Sequence, residues 1–483
     1  MTHALPRRGF LTGTLAAAVA AYCPEAKAWS SGAGPGTIAI PQLDGQLLTD
    51  PATLAKAADD FGHIVHLTPA AVLVPGSVAD IVKLIRFANA HGIQVSGARG
   101  IGESHSTQGQ SQVAAGVVID MSALHQIHEI NDGDALVDAG VRWIDLLTAT
   151  VPLGKSPPTL TDYIGLSVGG TLSVGGIGGQ AFHAGLQVDN VLELTVVTGE
   201  GELRTCSPTE NDDLFDAVRA GLGQFGVIVQ ARVRLVNVKP KVRVYTALYN
   251  DLGTFTSDQL SLIAGHRFDY VEGSAVAGAS GWQYQIELAK YYDPASPPDD
   301  AAQLAGLSYL AGTVTTVDEG YFDFANRLAP LVAFLQQIGA WYLPHPWLNL
   351  FVPAAHVVSF VGDALAQLNP ANTGNGPILL YPINRKRFDA PFTRVPHGPH
   401  AFIFSVLRFA VPPVPGTIAA EVAQNRALFD AVTAIGGKRY PIDSVPMSAA
   451  DWKEHFEPRF NAFADAKAAF DPNNVMTPGQ GIF

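Results

Sequence analysis

Residues 99–110 read Arg-Gly-Ile-Gly-Glu-Ser-His-Ser-Thr-Gln-Gly-Gln, and the rest of the chain is best understood from this stretch. Its glycines tolerate positive φ and let the backbone approach a ligand closely. Successive N–H groups in such a loop form a concave nest for a phosphate. The imidazole of His105 can serve as a nucleophile or a covalent tether. The stretch therefore predicts a phosphate-binding loop with a reactive histidine, although ordinary surface loops share this composition.

The residues before the loop predict a strand, a helix and a second strand. Residues 72–75 are apolar and extended in character, and Ser77 and Asp80 have the spacing of a capping box before an apolar helical face. Gly92 is placed to end that helix, and residues 93–95 form the second predicted strand. This context favours phosphate binding over a simple turn. It is not the dinucleotide fingerprint, because no Gly-x-Gly-x-x-Gly opens a helix after a strand.

A second glycine-rich segment spans residues 161–180 and carries a single acid, Asp162. The segment is apolar between its glycines, whereas a flexible linker would be polar. It therefore predicts a backbone that lies flat against a large planar ligand. Against a buried ligand, Asp162 would be a hydrogen-bond acceptor or a base; in a solvated loop it would have no chemical role. A third such stretch, 221–228, leads into another predicted strand.

Composition limits the partners of this chain. Its 483 residues suggest two or three lobes, and 47% of them are hydrophobic, which is enough for a large core. The net charge of −13, without a Lys- or Arg-rich run, argues against nucleic acid or an anionic membrane surface as a partner. No cluster of Cys and His has metal-binding spacing, so no metal is predicted.

The N-terminus has the pattern of an export signal. Pro6-Arg7-Arg8-Gly9-Phe10-Leu11 is a twin-arginine motif, an apolar run follows over residues 15–22, and Ala26-Lys27-Ala28 is a small-x-small cleavage site. The run is too short for a spanning helix, although a short N-terminal anchor is an alternative. The pattern predicts a periplasmic or secreted protein without an integral membrane segment after signal removal.

The second half of the chain has a different composition, beginning near residue 239. Strands are predicted at 268–274 and 282–288, and one helix is predicted over residues 322–338. The aromatic, proline-stiffened stretch 341–351 either packs under a loop or offers Trp347 or Tyr342 as a wall for a flat substrate, with His345 in a structural role. The predicted division is a signal at 1–28, a first domain at 50–238, a substrate domain at 239–430, and a segment at 431–483 that returns to the first domain.

Taken together, these stretches resemble FAD-dependent oxidases of the vanillyl-alcohol-oxidase type and, within them, the cytokinin dehydrogenases. The resemblance implies a two-lobed α+β fold, with an FAD-binding domain of the PCMH type and a substrate domain whose sheet is covered by helices. The stretches that carry it are 99–110, Thr-Asp-Tyr to Leu-Ser at 161–173, Gly-Gly-Gln-Ala-Phe at 178–182, Asp-Leu-Phe-Asp-Ala-Val at 213–218, 221–228, Asp-Tyr-Val-Glu-Gly-Ser at 269–274, Pro-His-Pro-Trp-Leu-Asn at 344–349, Tyr-Pro-Ile-Asn at 381–384 and Pro-Gly-Gln-Gly-Ile-Phe at 478–483.

The resemblance also implies roles for individual residues. His105 would be bonded covalently to the 8α carbon of the flavin, although two extra residues precede it compared with the family pattern Arg-Gly-x-Gly-His-Ser. Asp162 would accept from the substrate amine, and Glu272 would hold the purine edge. The other implied FAD contacts are Gly100, Gly102, Ser104, Ser106 and Gln110 at the pyrophosphate and dimethylbenzene end, Asp162, Ser167, Ser173, Ile177 and Val227 along the remainder, and Thr477 and Gln480 at the C-terminus.

The implied activity is that of an exported cytokinin dehydrogenase or a close amine-oxidising relative. The substrate would be an N6-substituted adenine, the carbon beside its side-chain nitrogen would give hydride to the flavin, and the imine would hydrolyse to adenine and an aldehyde. A quinone or oxygen would reoxidise the flavin. Two alternatives stay open: a same-fold oxidase of sugars, lactones or alcohols, and a flavin- or ligand-binding protein without turnover.

Overall fold

A computed structural model describes Val19 and residues 21–278 and 281–483 of the chain. The twin-arginine motif and most of the apolar run of the predicted signal lie outside these residues. Strands along the described chain are β1 Ala21–Cys23, β2 Ala28–Ser30, β3 Ile38–Ala39, β4 Gln46–Leu48, β5 Ala71–Val74, β6 Val95–Ala98, β7 Val117–Asp120, β8 Ile127–Ile130, β9 Asp134–Asp138, β10 Lys155–Ser156, β11 Val191–Thr198, β12 Leu203–Cys206, β13 Gly226–Arg234, β14 Val236–Asn237, β15 Lys241–Tyr249, β16 Tyr270–Gly278, β17 Gly281–Tyr292, β18 Thr315–Gly320, β19 Leu348–Pro353, β20 Ile378–Asn384, β21 His400–Val406 and β22 Lys438–Arg439.

Helices connect and cover these strands. They are α1 Pro51–Ala57, α2 Val78–His91, α3 Trp143–Thr150, α4 Val168–Leu172, α5 Ala181–Ala184, α6 Asp212–Val218, α7 Leu252–Gly265, α8 Asp300–Leu304, α9 Tyr321–Ala325, α10 Ala329–Gln337, α11 Val357–Leu365, α12 Pro370–Thr373, α13 Pro415–Ala434, α14 Ala449–Phe456 and α15 Phe460–Phe470. None of the helices in the described ranges is both long and apolar enough to cross a membrane.

The first lobe contains two main sheets. The four-stranded sheet has the order β4-β5-β7-β6, and its β5/β7 and β6/β7 pairs are parallel. Strands β5 and β6 lie on either side of β7 and run parallel, so the chain needs a crossover connection between them, which α2 provides. The glycine loop 99–110 follows β6 directly. A five-stranded antiparallel sheet, in the order β12-β11-β13-β9-β8, completes the lobe.

The capping box predicted at the start of α2 does not form. Ser77 is the N-cap, but its side chain makes no capping bond to the helix. The carboxylate of Asp80 accepts instead from the backbone N–H groups of Asp44, Gly45 and Gly76, at 2.7–2.9 Å. Asp80 therefore ties the approach to β4 onto α2, because a long-range partner displaced the local one.

The second lobe is built on an eight-stranded sheet in the order β18-β15-β17-β16-β20-β21-β19-β22. The neighbouring strands are antiparallel, and the central pairs β15/β17 and β16/β17 run nine residues in unbroken register. Helices α7, α11 and α13 pack on this sheet and bury a second apolar core, distinct from the core of the first lobe. The sheet positions Tyr270, Glu272 and Glu287 on neighbouring strands.

The single helix predicted over residues 322–338 is wrong, because the chain forms two helices there. Helix α9 ends at Ala325 and α10 begins at Ala329, with Pro330 in its first turn. Proline has no N–H to donate and clashes with the preceding turn, so it favours a helix start over a helix interior. Arg327 lies in the break between them, and its side chain contacts Asp162 in the first lobe.

The C-terminal segment lies against the first lobe. Val95 on β6 donates its N–H to the carbonyl of Val475 and accepts from the N–H of Thr477, both at 2.8 Å. The buried ammonium of Lys467 donates to the Gln224 carbonyl at 3.0 Å and to Asp471 at 2.7 Å. These contacts bring residues 475–480 beside the glycine loop.

The N-terminal hairpin is part of the packed structure. Strands β1 and β2 pair antiparallel, and Tyr22 packs against Trp29 and Phe87. Ala21 and Tyr22 are buried. The hairpin spans the cleavage site predicted at residues 26–28.

Candidate active site

The three glycine-rich stretches and the C-terminal segment surround one cavity of about 400 Å³. The second lobe closes it with residues from α10, from the 341–349 stretch and from β20 and β21. Most of the predicted site residues are brought together here. Those that line the cavity are Ser104, His105, Ser106, Gln110, Asp162, Ser167, Ser173, Ile177, Val227, Thr477 and Gln480.

Three predicted site residues, Gly100, Gly102 and Glu272, do not line the cavity. Gly100 faces the side chain of Glu103, and Gly102, with φ of +76°, faces Lys56 on the opposite side of the loop. The two extra residues before His105 explain this placement, because they lengthen the turn and carry its first glycines away from the cavity.

Asp60 holds the second half of the loop in place. Its carboxylate accepts from Ser106 Oγ at 2.9 Å, from the Gly109 N–H at 2.7 Å and from the Gly62 N–H at 3.0 Å. Burial raises the Asp60 pKa to about 6, against the lowering effect of these hydrogen bonds. A buried carboxylate with three donors is a strong local constraint, and it ties the part of the loop that follows His105 to the segment around Gly62.

Several predicted ligand side chains are committed to the protein. Gln110 Oε1 accepts from the N–H groups of Thr107 and Gln108, and its Nε2 donates to the Asp443 carbonyl at 2.8 Å. Ser173 Oγ donates to the Gly169 carbonyl at 2.8 Å. These side chains therefore shape the cavity wall, and the surface they offer to a ligand includes backbone as well as side-chain atoms.

His105 stands in an aromatic environment. Its ring stacks on Phe61 with centroids 4.5 Å apart, and Tyr163 and Trp341 lie at 4.9 and 5.7 Å. Burial, together with the charge of Arg99, lowers the His105 pKa to about 3. The imidazole is therefore neutral at working pH, which is the protonation state that a nucleophilic nitrogen needs.

Asp162 is anchored through one oxygen and free at the other. Its Oδ1 accepts from Arg327 Nη2 at 2.7 Å and from the Tyr270 hydroxyl at 3.0 Å. No described residue donates to Oδ2, and Asp162 lines the cavity. The carboxylate is thus oriented by two donors and retains an open acceptor for a ligand.

Arg327 joins Asp162 to two further carboxylates. It contacts Glu272 at 3.2 Å and Glu287 at 3.1 Å, and it also contacts the Tyr270 hydroxyl. Burial opposes its charge, but the three carboxylates together raise its pKa above the ordinary value. Arg327 is therefore a cation at neutral pH.

Glu272 lies behind Asp162 rather than against the cavity. Its carboxyl group contacts Tyr270 and Arg327 and is buried. Burial, followed by the charge of Asp162, raises the Glu272 pKa well above 4.5, although Arg327 acts in the opposite direction. The geometry does not suit the predicted contact with a purine edge, and it makes Glu272 a support for Arg327 and Tyr270.

Two polar atoms in the 345–347 stretch have no partner among the described residues. His345 Nδ1 donates to the Phe61 carbonyl at 2.8 Å, which leaves Nε2 as a buried, unpaired acceptor. Trp347 Nε1 is a buried, unpaired donor, and both residues line the cavity. Tyr342 is 64% exposed and does not line it, so of the two predicted aromatic walls only Trp347 is in position.

The residues around the cavity fit a bound FAD. At Gly97 an added Cβ would meet only Met121, at 3.8 Å, so the space beside this backbone belongs to the cavity. The unpaired, buried ring nitrogens of His345 and Trp347 indicate that a polar ligand group bonds to them. The volume lies in the range of cofactor and ligand sites. His105, the serines of its loop and Thr477 would border the cofactor.

Comparison with known proteins agrees with this fit. Residues 69–207 match the family described as "FAD binding domain", and residues 276–483 match the one described as "Cytokinin dehydrogenase 1, FAD and cytokinin binding". The crystal structure of a VAO-type flavoprotein from Myceliophthora thermophila C1 superposes with a TM-score of 0.67 at 19% identity, covering 86% of this chain and 80% of that one. The predicted fold class is confirmed, and the chain is an FAD-dependent oxidoreductase.

Similar sequences show to which family of FAD-dependent oxidoreductases the chain belongs. An uncharacterized oxidoreductase in the fasciation locus of Rhodococcoides fascians is 43% identical, over 89% of this chain and 97% of that protein. Cytokinin dehydrogenase 5 of Oryza sativa subsp. japonica is 38% identical, over 91% of both chains. Cytokinin dehydrogenase 2 of Arabidopsis thaliana is 37% identical, over 90% of this chain and 93% of that one. The chain belongs to the cytokinin dehydrogenase family, as its motifs predict.

Sequence reasoning missed Asp60, Tyr270 and Arg327. No local pattern marks Asp60, whose partners in the loop are 46 and 49 residues away. Tyr270 lies within a predicted strand beside Glu272, so alternation along the strand could have placed both on one face. Arg327 was hidden by the helix predicted across it. Pro330 was the available signal, because a proline three residues later marks a helix start.

The pH dependence of stability tests the assignment of Glu272. The folded protein retains a proton on Glu272 that the unfolded chain loses as pH rises past 4.5, so the wild type loses stability in that window. Glu272→Gln keeps the shape and has no proton to lose. We expect the melting temperature of the variant, relative to wild type, to rise between pH 4.5 and 7. Scanning calorimetry at both pH values measures it.

The exposed substitution Glu200→Gln is the matched control, and its difference from wild type should not change over that pH range. A difference for Glu272→Gln that falls with increasing pH would contradict the assignment. It would mean that Glu272 is ionised and is stabilised mainly by Arg327.

Proposed function

We propose that this oxidoreductase oxidises the side-chain amine of N6-substituted adenines that carry an allylic group. The observation that carries the proposal is the free Oδ2 of Asp162 on the wall of a cavity with an otherwise largely apolar lining. A secondary amine offers one N–H, and a fixed, unpaired carboxylate oxygen is its natural acceptor. The family relationship, and the names of the rice and Arabidopsis relatives, support this substrate class.

The chemistry divides between cofactor and protein. When bound, the flavin supplies a two-electron acceptor for the hydride leaving the carbon beside the substrate nitrogen. Asp162 accepts the N–H proton, so a C–H and an N–H bond are lost and a C=N bond forms. Water then adds across that bond and releases adenine and an aldehyde. A quinone or oxygen takes up the two electrons and completes the cycle.

The cavity walls suit a flat base with an apolar substituent. Trp347 and Tyr381 provide aromatic surface. One side of the cavity is apolar and comes from α10 and from the main sheet of the second lobe, and no residue of α10 is fully buried. The apolar residues of this side are Leu328, Leu331, Val332, Leu335, Leu379 and Leu407.

Asp162→Asn tests the proposed acceptor. The amide keeps the size of the side chain but cannot take a proton, so we expect FAD to remain bound. The melting temperature should fall, because Arg327 loses one of its charged partners. Turnover with isopentenyladenine should fall about 100- to 10,000-fold. Anaerobic bleaching of the flavin absorbance on mixing measures the reductive step alone, without dependence on the electron acceptor.

The control is Asp293→Asn, an exposed Asp paired with Lys239 at the surface, which should bleach at the wild-type rate. Unchanged bleaching in Asp162→Asn would remove Asp162 from the reaction. Bleaching of the wild type by sugars or simple alcohols, but not by isopentenyladenine, would refute the substrate class.

We also propose that His105 is the covalent tether of the cofactor. The bond would join an imidazole nitrogen to the 8α carbon of the flavin. The imidazole proton, one methyl proton and two electrons would leave together, and molecular oxygen would take them up as hydrogen peroxide. The depressed pKa keeps the attacking nitrogen unprotonated, and the Phe61 stack and the Asp60 bonds hold the ring and its loop in place.

Acid precipitation distinguishes a tethered from a dissociable cofactor. We expect yellow colour to stay with the wild-type pellet and to pass into the supernatant for His105→Gln, because that variant lacks the bonding nitrogen. Mass spectrometry of the peptide that contains His105 should show the added mass of FAD. The exposed His125→Gln serves as the control and should behave as wild type. A colourless wild-type pellet would contradict the tether.

Finally, we propose export through the twin-arginine route, with cleavage after Ala28. Cleavage there would remove β1, so the packing of Tyr22 against Phe87 would exist in the precursor alone. N-terminal sequencing of the protein recovered from the periplasm or medium should therefore read Trp29 first. An N-terminus upstream of Ala21 on the exported protein would show that the hairpin is retained and that the predicted site is not used.

A further inference from the structure

A second, much smaller pocket lies behind the wall of the large cavity. Its free volume is about 10 Å³, which is room for one occupant the size of a water molecule. Val174, Leu222, Tyr440 and Pro441 border both spaces. The polar residues around the small pocket come from three separate parts of the chain and are Thr393, Arg394, Arg439 and His455.

Each of these four residues has one buried polar atom without a partner among the described residues. The atoms are Thr393 Oγ1, Arg394 Nε, Arg439 Nε and His455 Nδ1. Arg439 and His455 are 2% and 4% exposed, so solvent does not satisfy them. Buried donors without partners are rare and costly. Four of them around one pocket call for a common acceptor.

The surroundings carry an excess of positive charge. Arg439 is paired with Asp443, and Arg394 donates through Nη2 to the Glu457 carbonyl at 2.7 Å, a neutral partner. Burial, then the charges of Arg459 and Arg385, lowers the Arg394 pKa, while Glu457 acts in the opposite direction. Burial lowers the pKa of Lys438 as well, followed by the charge of Arg394, while Glu454 and Glu457 oppose it.

The pKa of His455 also responds to the positive charge around the pocket. Burial, then Arg439, Lys438 and Arg394, lowers its pKa well below 6.5. The ring is therefore neutral and can place its one hydrogen on Nδ1, the atom that has no partner among the described residues. A chain with net charge −13 thus keeps a locally cationic pocket.

The hydrogen-bonding capacity of these four groups indicates which kind of ligand the pocket binds. The two guanidinium Nε–H groups can only donate, His455 Nδ1 donates in the tautomer described, and the Thr393 hydroxyl can do either. A water oxygen accepts about two hydrogen bonds and needs acceptors for its own two hydrogens. A monatomic anion accepts from all four groups and neutralises charge as well. We propose that this pocket binds one small inorganic anion of the halide class, chloride under ordinary conditions.

The size of the pocket restricts the ligand further. It has room for about one occupant near the size of a water molecule, which suits a single-atom ligand, whereas a phosphate, a sulfate or a carboxylate metabolite needs several times that room. The proposal depends neither on the substrate nor on the covalent tether, because none of the four residues is placed in the catalytic cavity.

Bromide provides a direct test on the purified holoenzyme. Crystals grown in sodium bromide, measured at the bromine absorption edge, should show an anomalous peak between Arg394, Arg439 and His455. An ordered water without anomalous signal at that position, or a pocket without density, would overturn the proposal.

Thermal stability gives an independent measurement in solution. At fixed ionic strength, replacing gluconate by chloride should raise the wild-type melting temperature saturably, by about 1–3 °C. Arg394→Gln should lose this response. Thr393→Val, a milder change, should raise the half-saturating chloride concentration about tenfold. The surface variant Arg204→Gln should respond as wild type. Equal wild-type melting temperatures in chloride and gluconate would contradict the proposal.

Discussion

The largely desolvated cation of Arg327 is the constraint on which the active site depends. It lies between carboxyl groups from both lobes, with Asp162 contributed by the first lobe and Glu272 and Glu287 by the second. An arginine with so little access to water needs such partners, and removing a charged one leaves the cation less compensated. The same bonds that satisfy Arg327 orient Asp162 and leave one of its oxygens free. One side chain therefore links the two lobes and orients the Asp162 carboxylate.

The histidine loop follows a similar logic at the other end of the cavity. Asp60 holds Ser106 and Gly109, and Gln110 spans from its own loop to the Asp443 carbonyl. These polar residues fix the backbone beside His105. Its imidazole stacks on Phe61, and burial lowers its pKa and keeps it neutral. Such preorganisation lets a flexible, glycine-rich segment present a single geometry to a ligand.

Local patterns predicted what is local. The sequence predicted the strand–helix–strand unit before the loop, the glycine-rich stretches, and Asp162 as the single acid of its segment. The structure brings the three stretches to one cavity. The sequence did not predict hydrogen-bond partners that are distant in the chain. Asp80 bonds to Asp44 and Gly45 and does not form the predicted capping box, and Arg327 contacts residues that lie 40 to 165 positions away in the chain. Periodicity carries no information about such pairs.

The central claim is that one cavity, with His105 at one end and Asp162 on its wall, holds the flavin for oxidation of an amine. A crystal structure of the yellow holoenzyme with a bound adenine-type ligand tests this most directly. The account predicts flavin density within this cavity and a ligand nitrogen within hydrogen-bond distance of Asp162 Oδ2. A flavin seated elsewhere, or a ligand nitrogen with no contact to Asp162, would contradict it.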